Sequence, residues 1–384
     1  MNATVGHLKV HYLALTETFI YGYLAHARRF NPLVLTDVAR NLSLFPIDCS
    51  YLITQGEVEA LRQDMGARSG PFLRVFLGTL DYPNCFERFI RERGIGLLHA
   101  HFGVAGCRAV RLKRRVGVPL VTTFYGVDAA KWLSAPEMRG AFERLFEEGD
   151  LFLALGKDMV GRLRAAGCPE EKVRIQHLGV DVEQIAFHPR RWPEDGGKVV
   201  LLYCGRLVEK KGILYALEAF ARLAGRWKNL EFRVVGDGPL RPAVEQAVRR
   251  MGLQDRVVLR GALPHAEAMK EMRDAHLFIL PSLTAPDGDM EGTPTVLMEA
   301  QASGLPVVST RHADIPEVVL DGESGFLVPE RDSRALADCL DCLLKHPDVW
   351  PDFGQAGRRH VEQHYNIHRE VLKLETIYSD LTGM

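Results

Sequence analysis

At 384 residues the chain is longer than one ordinary hydrophobic core and points to two domains. Its 47% hydrophobic and 25% charged residues fit a globular protein, with no apolar run near the ~18 residues of a membrane span and no signal-peptide pattern in the first twenty residues. Net charge is -1, but up to residue 180 there are 23 Lys+Arg against 18 Asp+Glu, a net of +5, and beyond it 25 against 31, a net of -6. A basic front half suits an anionic membrane surface or acceptor, and chance asymmetry accounts for it equally well. Seven scattered cysteines fit a reducing, cytoplasmic setting.

Short runs of Val, Leu and Ile predict strands near residues 8–13, 32–35, 97–100, 120–124, 151–154 and 173–177. A second series follows near 199–203, 231–235, 257–260, 277–280 and 306–309. Longer helical patterns separate them, which implies parallel sheets with helices on both faces. The stretch 187–197, with Pro189, Pro193 and Gly196-Gly197, reads as a linker. The expected organisation is a front domain over 1–185, a second over 198–360, and a last helix near 361–381 within a 361–384 tail.

In the front half, Thr16-Glu17-Thr18-Phe19-Ile20 follows the first strand, and His99-Ala100-His101-Phe102-Gly103 and Thr123-Phe124-Tyr125-Gly126-Val127-Asp128 end later ones. Arg108, Arg111, Lys113, Arg114 and Arg115 interleave with Val110, Leu112 and Val116. They form either a solvated helix face or one that rests on anionic lipid.

In the second half, Gly205-Arg206 and Lys211-Gly212 lie between a strand and a helix, where the two cations either belong to a solvated turn or stabilise a bound anion. Gly236-Asp237-Gly238-Pro239 and Gly261-Ala262-Leu263-Pro264 end the next strands. Then Glu291, Gly292-Thr293-Pro294-Thr295-Val296 and Glu299 span a loop-to-helix step. A helix start carries unpaired N–H groups and partial positive charge, so it suits a phosphate. Pro294 fits the first turn. Eight helical steps would set the two glutamates ~12 Å apart, beyond the roughly 5–9.5 Å of a glycosidase pair, which favours separate roles. Asp287-Gly288-Asp289 reads as a turn rather than a metal site, and Cys339-Leu340-Asp341-Cys342 lacks the second cysteine pair of a zinc site.

These motifs, with Ile315-Pro316-Glu317 and Gly325-Phe326-Leu327-Val328-Pro329, resemble the family 4 retaining glycosyltransferases in the right order along nearly the whole chain. The resemblance implies an α/β GT-B fold, two doubly wound Rossmann-like domains facing across a cleft. The donor is a nucleotide diphosphate sugar, UDP- or GDP-linked, with no cofactor and no metal. Arg206, Lys211 and Glu291 would be catalytic. Gly205, Gly236, Leu263, Gly292, Thr293, Thr295, Val296 and Glu299 would bind the donor, with Glu299 on the ribose, Glu291 on the transferred sugar and the Leu263 backbone at the base. Thr16, Glu17, Phe19, His101, Tyr125 and Asp128 would face the acceptor or sugar, although the family more often has His where Tyr125 stands. The implied acceptor is a hydroxyl of a glycan, lipid-linked or small molecule, as in exopolysaccharide assembly; nucleic acid is not a partner, and peripheral contact with the inner membrane face stays open. The alternatives are a nucleotide-sugar epimerase or hydrolase on the same fold, or a silent nucleotide-sugar-binding scaffold. A NAD-dependent dehydrogenase is disfavoured, since no G-x-G-x-x-G follows the first strand.

Overall fold

The computed structural model describes residues 3–14, 16–51 and 84–383. The chain forms two compact units, Met1–Gly179 with Ile367–Met384, and Val180–Asn366.

The first unit is built on a parallel sheet in the order β3-β2-β1-β4-β5-β6-β7. Its strands are β1 Ala3–Tyr12, β2 Phe30–Ala39, β3 Cys49–Tyr51, β4 Ile95–His101, β5 Leu120–Thr123, β6 Leu151–Ala154 and β7 Val173–Ile175. Leu8, Leu35, Leu98, Val121 and Phe152 are fully buried, as expected where helices cover both faces of a parallel sheet. Each such side chain contributes about 1.5–3 kcal/mol of burial. β1 is longer than its apolar stretch, because residues 3–7 gain ladder partners on β2 and β4.

The second unit carries a parallel sheet in the order β10-β9-β8-β11-β12-β13. Here β8 is Val199–Cys204, β9 Leu230–Val235, β10 Val257–Gly261, β11 Leu277–Leu280, β12 Val307–Thr310 and β13 Gly325–Val328. Apolar patterning does not announce β3, which contains no Val, Leu or Ile, or β13, which opens on Gly325 within a stretch read as a motif.

Two expectations change. The stretch 187–197 is not a free linker but part of the second unit. His188 N–H donates to the Ser303 carbonyl, buried Arg190 donates to the carbonyls of Met272, Arg273 and Ser303, and Trp192 packs between Trp227 and Trp350. Nor does one helix run over 361–381: helix Trp350–His364 ends before helix Ile367–Thr382 begins. Between them the Tyr365 carbonyl accepts from Val180 N–H and Asn366 bridges to Val180, so the backbone leaves helical geometry there. Only the second of these helices groups with the first unit.

Candidate active site

In the second unit the chain winds outward from β8 through β9 to β10, then returns to β11 and winds the other way. The strand order therefore reverses between β8 and β11, the position where open α/β sheets bind ligands beyond their carboxyl ends. The segment Gly205-Arg206 to Lys211-Gly212 follows β8, and the loop holding Glu291 to Pro294 follows β11.

Backbones approach closely here. A Cβ on Gly236 would lie 1.9 Å from the Gly205 carbonyl oxygen, and one on Gly212 would lie 1.9 Å from that of Pro281. Both glycines have positive φ, 138° and 65°, so a side chain is excluded by contact and conformation alike. Gly212 in the left-handed region opens helix Ile213–Ala224 and turns the chain so that Lys211 points back over the site.

Lys211 Nζ lies 3.1 Å from Glu291 Oε2, and both side chains are largely buried. Burial alone would raise the Glu291 carboxyl, but the Lys211 and Lys210 ammonium groups outweigh it and hold its pKa below the ordinary value. Glu291 Oε1 and Thr293 Oγ1 are buried and have no hydrogen-bond partner among the described residues. Buried polar atoms are normally paired, so two orphans in one loop mark a place for a polar ligand. Next door, Lys210 Nζ pairs with Asp289 Oδ1 and the Met290 carbonyl, both at 3.0 Å, which ties the loop down. Asp287 Oδ1 accepts from Asp289 N–H. This acidic pair is therefore committed to the turn and to Lys210.

Helix Thr295–Ala302 starts one residue later than the loop chemistry implies. Pro294 has ψ 111° and is the residue before the first turn, not within it. Since 291–294 is not helical, the ~12 Å estimate between the glutamates does not apply. Thr295 and Val296 open the helix, half-exposed, with Gly292 and Thr293 buried behind them. Glu299 is one turn in, and its Oε1 accepts from His265 Nε2 at 2.8 Å. That bond raises the His265 pKa. His265 begins the helix after Leu263-Pro264, so the contact joins the Leu263 loop to Glu299. Arg206 is exposed at the end of the β8 turn, and its guanidinium has no ion pair among the described residues.

Two residues, His312 and its partner Glu330, escape sequence reasoning. His312, after β12, is wholly buried between Glu291 and Glu330. The only sequence signal is its place within the segment before Ile315-Pro316-Glu317.

In the first unit the order reverses between β1 and β4. Thr16 is exposed there. Glu17 accepts from Lys9 Nζ at 3.0 Å and from Ala14 N–H, and Lys9 sits 4.2 Å from the centre of the Phe102 ring. Phe19 and Phe102 pack on Tyr125 at 5.0 and 4.7 Å. His101 is buried rather than presented, bonded to Tyr125 Oη at 2.6 Å and to His7 at 3.0 Å. His99 bonds Thr123 and Tyr378. His7, His99 and His101 bring one ring nitrogen each within 4.8 Å of one another; His7 and His101 bond each other, and His99 and His101 also bond the hydroxyls of Thr123, Tyr378 and Tyr125. Asp128 does not face outward. Its oxygens accept from the backbone N–H groups of Gly103, Tyr125 and Gly126, so it clasps the loop instead of contacting a ligand directly.

The basic helix Gly103–Val116 is largely neutralised. Arg108 is buried against Asp37 at 2.6 Å, Lys113 pairs with Asp150 at 2.8 Å, Arg114 pairs with Glu148, and Arg115 lies 3.9 Å from Glu87. These pairs favour the solvated-face reading of this helix over the lipid-facing one. Among the described residues no helix is long and apolar enough to cross a membrane.

Residues 19–184 match the family described as Glycosyltransferase Family 4, and residues 198–346 match Glycosyl transferases group 1. The chain is 38% identical to the putative colanic acid biosynthesis glycosyltransferase WcaL of Escherichia coli, over 72% of this chain and 69% of that one. It is 37% identical to the amylovoran biosynthesis glycosyltransferase AmsK of Erwinia amylovora, over 73% and 69%. Among solved structures, Anabaena HepE in complex with UDP is similar, with a TM-score of 0.77 at 18% identity over 99% of this chain and 100% of that one.

Proposed function

The chain belongs to the family 4 glycosyltransferases and has their GT-B fold, and from that premise we propose that it transfers a hexose, with retention of anomeric configuration, from a nucleotide diphosphate sugar to a hydroxyl acceptor. The observation that carries this reading is the Lys211–Glu291 pair at the β8/β11 reversal, beside the unpartnered Glu291 Oε1 and Thr293 Oγ1. A nucleotide sugar matches that array. Its diphosphate would meet Arg206, Lys211 and the start of helix Thr295–Ala302, and its sugar hydroxyls would meet Glu291.

In the proposed reaction the bond between the anomeric carbon and the diphosphate oxygen breaks, and the diphosphate leaves with the bonding electron pair. Arg206 and Lys211 stabilise the growing negative charge without a metal. The acceptor oxygen bonds to the anomeric carbon on the same face and gives its proton to the departing diphosphate oxygen beside it. Ionised Glu291 orients the sugar as positive charge builds at that carbon. Glu299 takes the ribose hydroxyls in exchange for His265.

The names of WcaL and AmsK support a growing exopolysaccharide as acceptor, and the HepE complex supports a uridine donor. Incubation with UDP- and GDP-sugars and an oligosaccharide or lipid-linked acceptor, followed by product analysis, tests the reading. A sugar–acceptor adduct of unchanged anomeric configuration is expected. Free sugar or isomerised donor as the only product would replace the proposal with a hydrolase or epimerase.

A further inference from the structure

We propose that His312 and Glu330 act as one positioning pair that sets the Glu291 carboxylate for catalysis, a proposal that rests on reading Glu291 as the sugar-side carboxylate. Glu291 N–H donates to His312 Nε2 at 3.1 Å. A backbone N–H can only donate, so Nε2 carries no proton and the proton sits on Nδ1. That Nδ1–H donates to Glu330 Oε1 at 2.6 Å. Both ring nitrogens are spent, and the ring is wholly buried. Glu330 Oε2 in turn accepts from Thr284 N–H at 3.0 Å.

Thr284 and Glu291 are the two ends of one loop. Glu330 therefore holds its beginning, and His312 holds its end. Between them Lys210 fixes Asp289 and Met290, and Ala285 N–H donates to the Asp289 carbonyl. Among the described residues the Glu291 side chain has a single fixed partner, Lys211, on one oxygen. Its aim therefore depends on where its backbone is anchored. Burial acts to raise the Glu330 pKa, but the Thr284 N–H and His312 outweigh it, consistent with a carboxylate that stays charged in this role. Misplacing a reacting contact by 1 Å can cost about a hundredfold in rate.

The pair predicts a pattern of kinetics that a merely structural role does not. His312→Ala removes the acceptor for Glu291 N–H. His312→Gln can keep one, because its side-chain oxygen can reach the site of Nε2. Glu330→Gln leaves one acceptor oxygen for two donors, His312 Nδ1–H and Thr284 N–H, so its amide NH2 opposes one of them and one end of the loop loses its anchor. Donor turnover, measured with Glu291→Gln alongside, and UDP and GDP titrations test this. His312→Ala and Glu330→Gln should lower kcat by roughly 10- to 100-fold, leave donor KM and nucleoside diphosphate affinity within about twofold, and combine without further loss. His312→Gln should recover part of the rate. If His312→Ala keeps full kcat while Glu291→Gln loses it, the positioning pair is refuted and the Glu291 reading stands. If Glu291→Gln keeps full kcat, the Glu291 reading falls and takes this proposal with it. Equal loss of nucleotide affinity and rate with a lowered melting temperature in His312→Ala and His312→Gln would reduce His312 to a structural residue and overturn the proposal.

Discussion

Single residues show how much charge chemistry can be read from a sequence. Lys211, Glu291 and Glu299 stand out because charged side chains beside glycine turns have few structural uses, and Lys211 and Glu291 do meet at 3.1 Å. His312 does not stand out, since its value comes from Glu291 and Glu330, which only the fold brings to its two nitrogens. Asp128 misleads for the opposite reason: a strand-end carboxylate looks available, yet three backbone N–H groups occupy it. Arg206 has no competing ion pair among the described residues, so its guanidinium can serve a diphosphate. Arg206→Ala should weaken nucleoside diphosphate binding by roughly 10- to 100-fold, as for a charge-assisted hydrogen bond, and leave the bare nucleoside nearly unchanged. Equal losses for both ligands in calorimetry would remove Arg206 from the phosphate site.

At the scale of elements, parallel strands are legible because burial on both faces makes them continuous apolar runs. Loops and element ends are not, because tertiary hydrogen bonds decide them: Tyr365-Asn366 breaks a helical pattern through its bonds to Val180. The glycines at the carboxyl ends of β8 and β9 are legible as turns, but the contacts that forbid a side chain there are not. Gly236→Ala must place a Cβ 1.9 Å from the Gly205 carbonyl oxygen at φ 138°. The backbone strain alone costs about 1–3 kcal/mol, and relief of the contact would displace Gly205-Arg206. A lowered melting temperature with weakened diphosphate binding is expected, and a variant with wild-type values for both would refute the close-packed turn. Asp289 is paired with Lys210, which ties the Asp287-Gly288-Asp289 loop to the turn after β8. Activity should therefore survive chelator treatment, and loss with rescue by manganese or magnesium would transfer the leaving-group role from Arg206 and Lys211 to a cation.

For the whole molecule, buried histidines set the response to acid. His7 is pushed by burial from 6.5 to about 3, and His99 and His101 are held well below their ordinary value, chiefly by burial. In the second unit burial lowers His276 to about 4. A histidine whose folded pKa is depressed contributes fully above the unfolded value near 6.5 and destabilises as pH falls below it, because only the unfolded chain then takes the proton. His7 alone should remove about 2 kcal/mol between pH 7 and pH 5. The urea midpoint of the first unit should fall over that interval, with a shallower fall in His7→Asn; a flat midpoint would contradict the buried neutral cluster. The ion pairs along helix Gly103–Val116 argue that this helix gives little salt-sensitive attachment to anionic vesicles.

In the proposed function the β8/β11 end of the second unit would bind a nucleotide sugar with its two glutamates divided between nucleotide and sugar. Calorimetric titration of UDP, GDP and their sugars into the wild type, Glu299→Ala and Glu291→Ala, paired with turnover of the same samples, measures it most directly. Glu299→Ala should weaken the nucleoside diphosphate and the intact donor alike, by about tenfold or more. Glu291→Ala should leave the diphosphate nearly unchanged and lower kcat by about 10²–10³, as expected when a contact made chiefly in the transition state is lost. Wild-type donor binding and turnover in both variants would place the active site elsewhere and contradict the account.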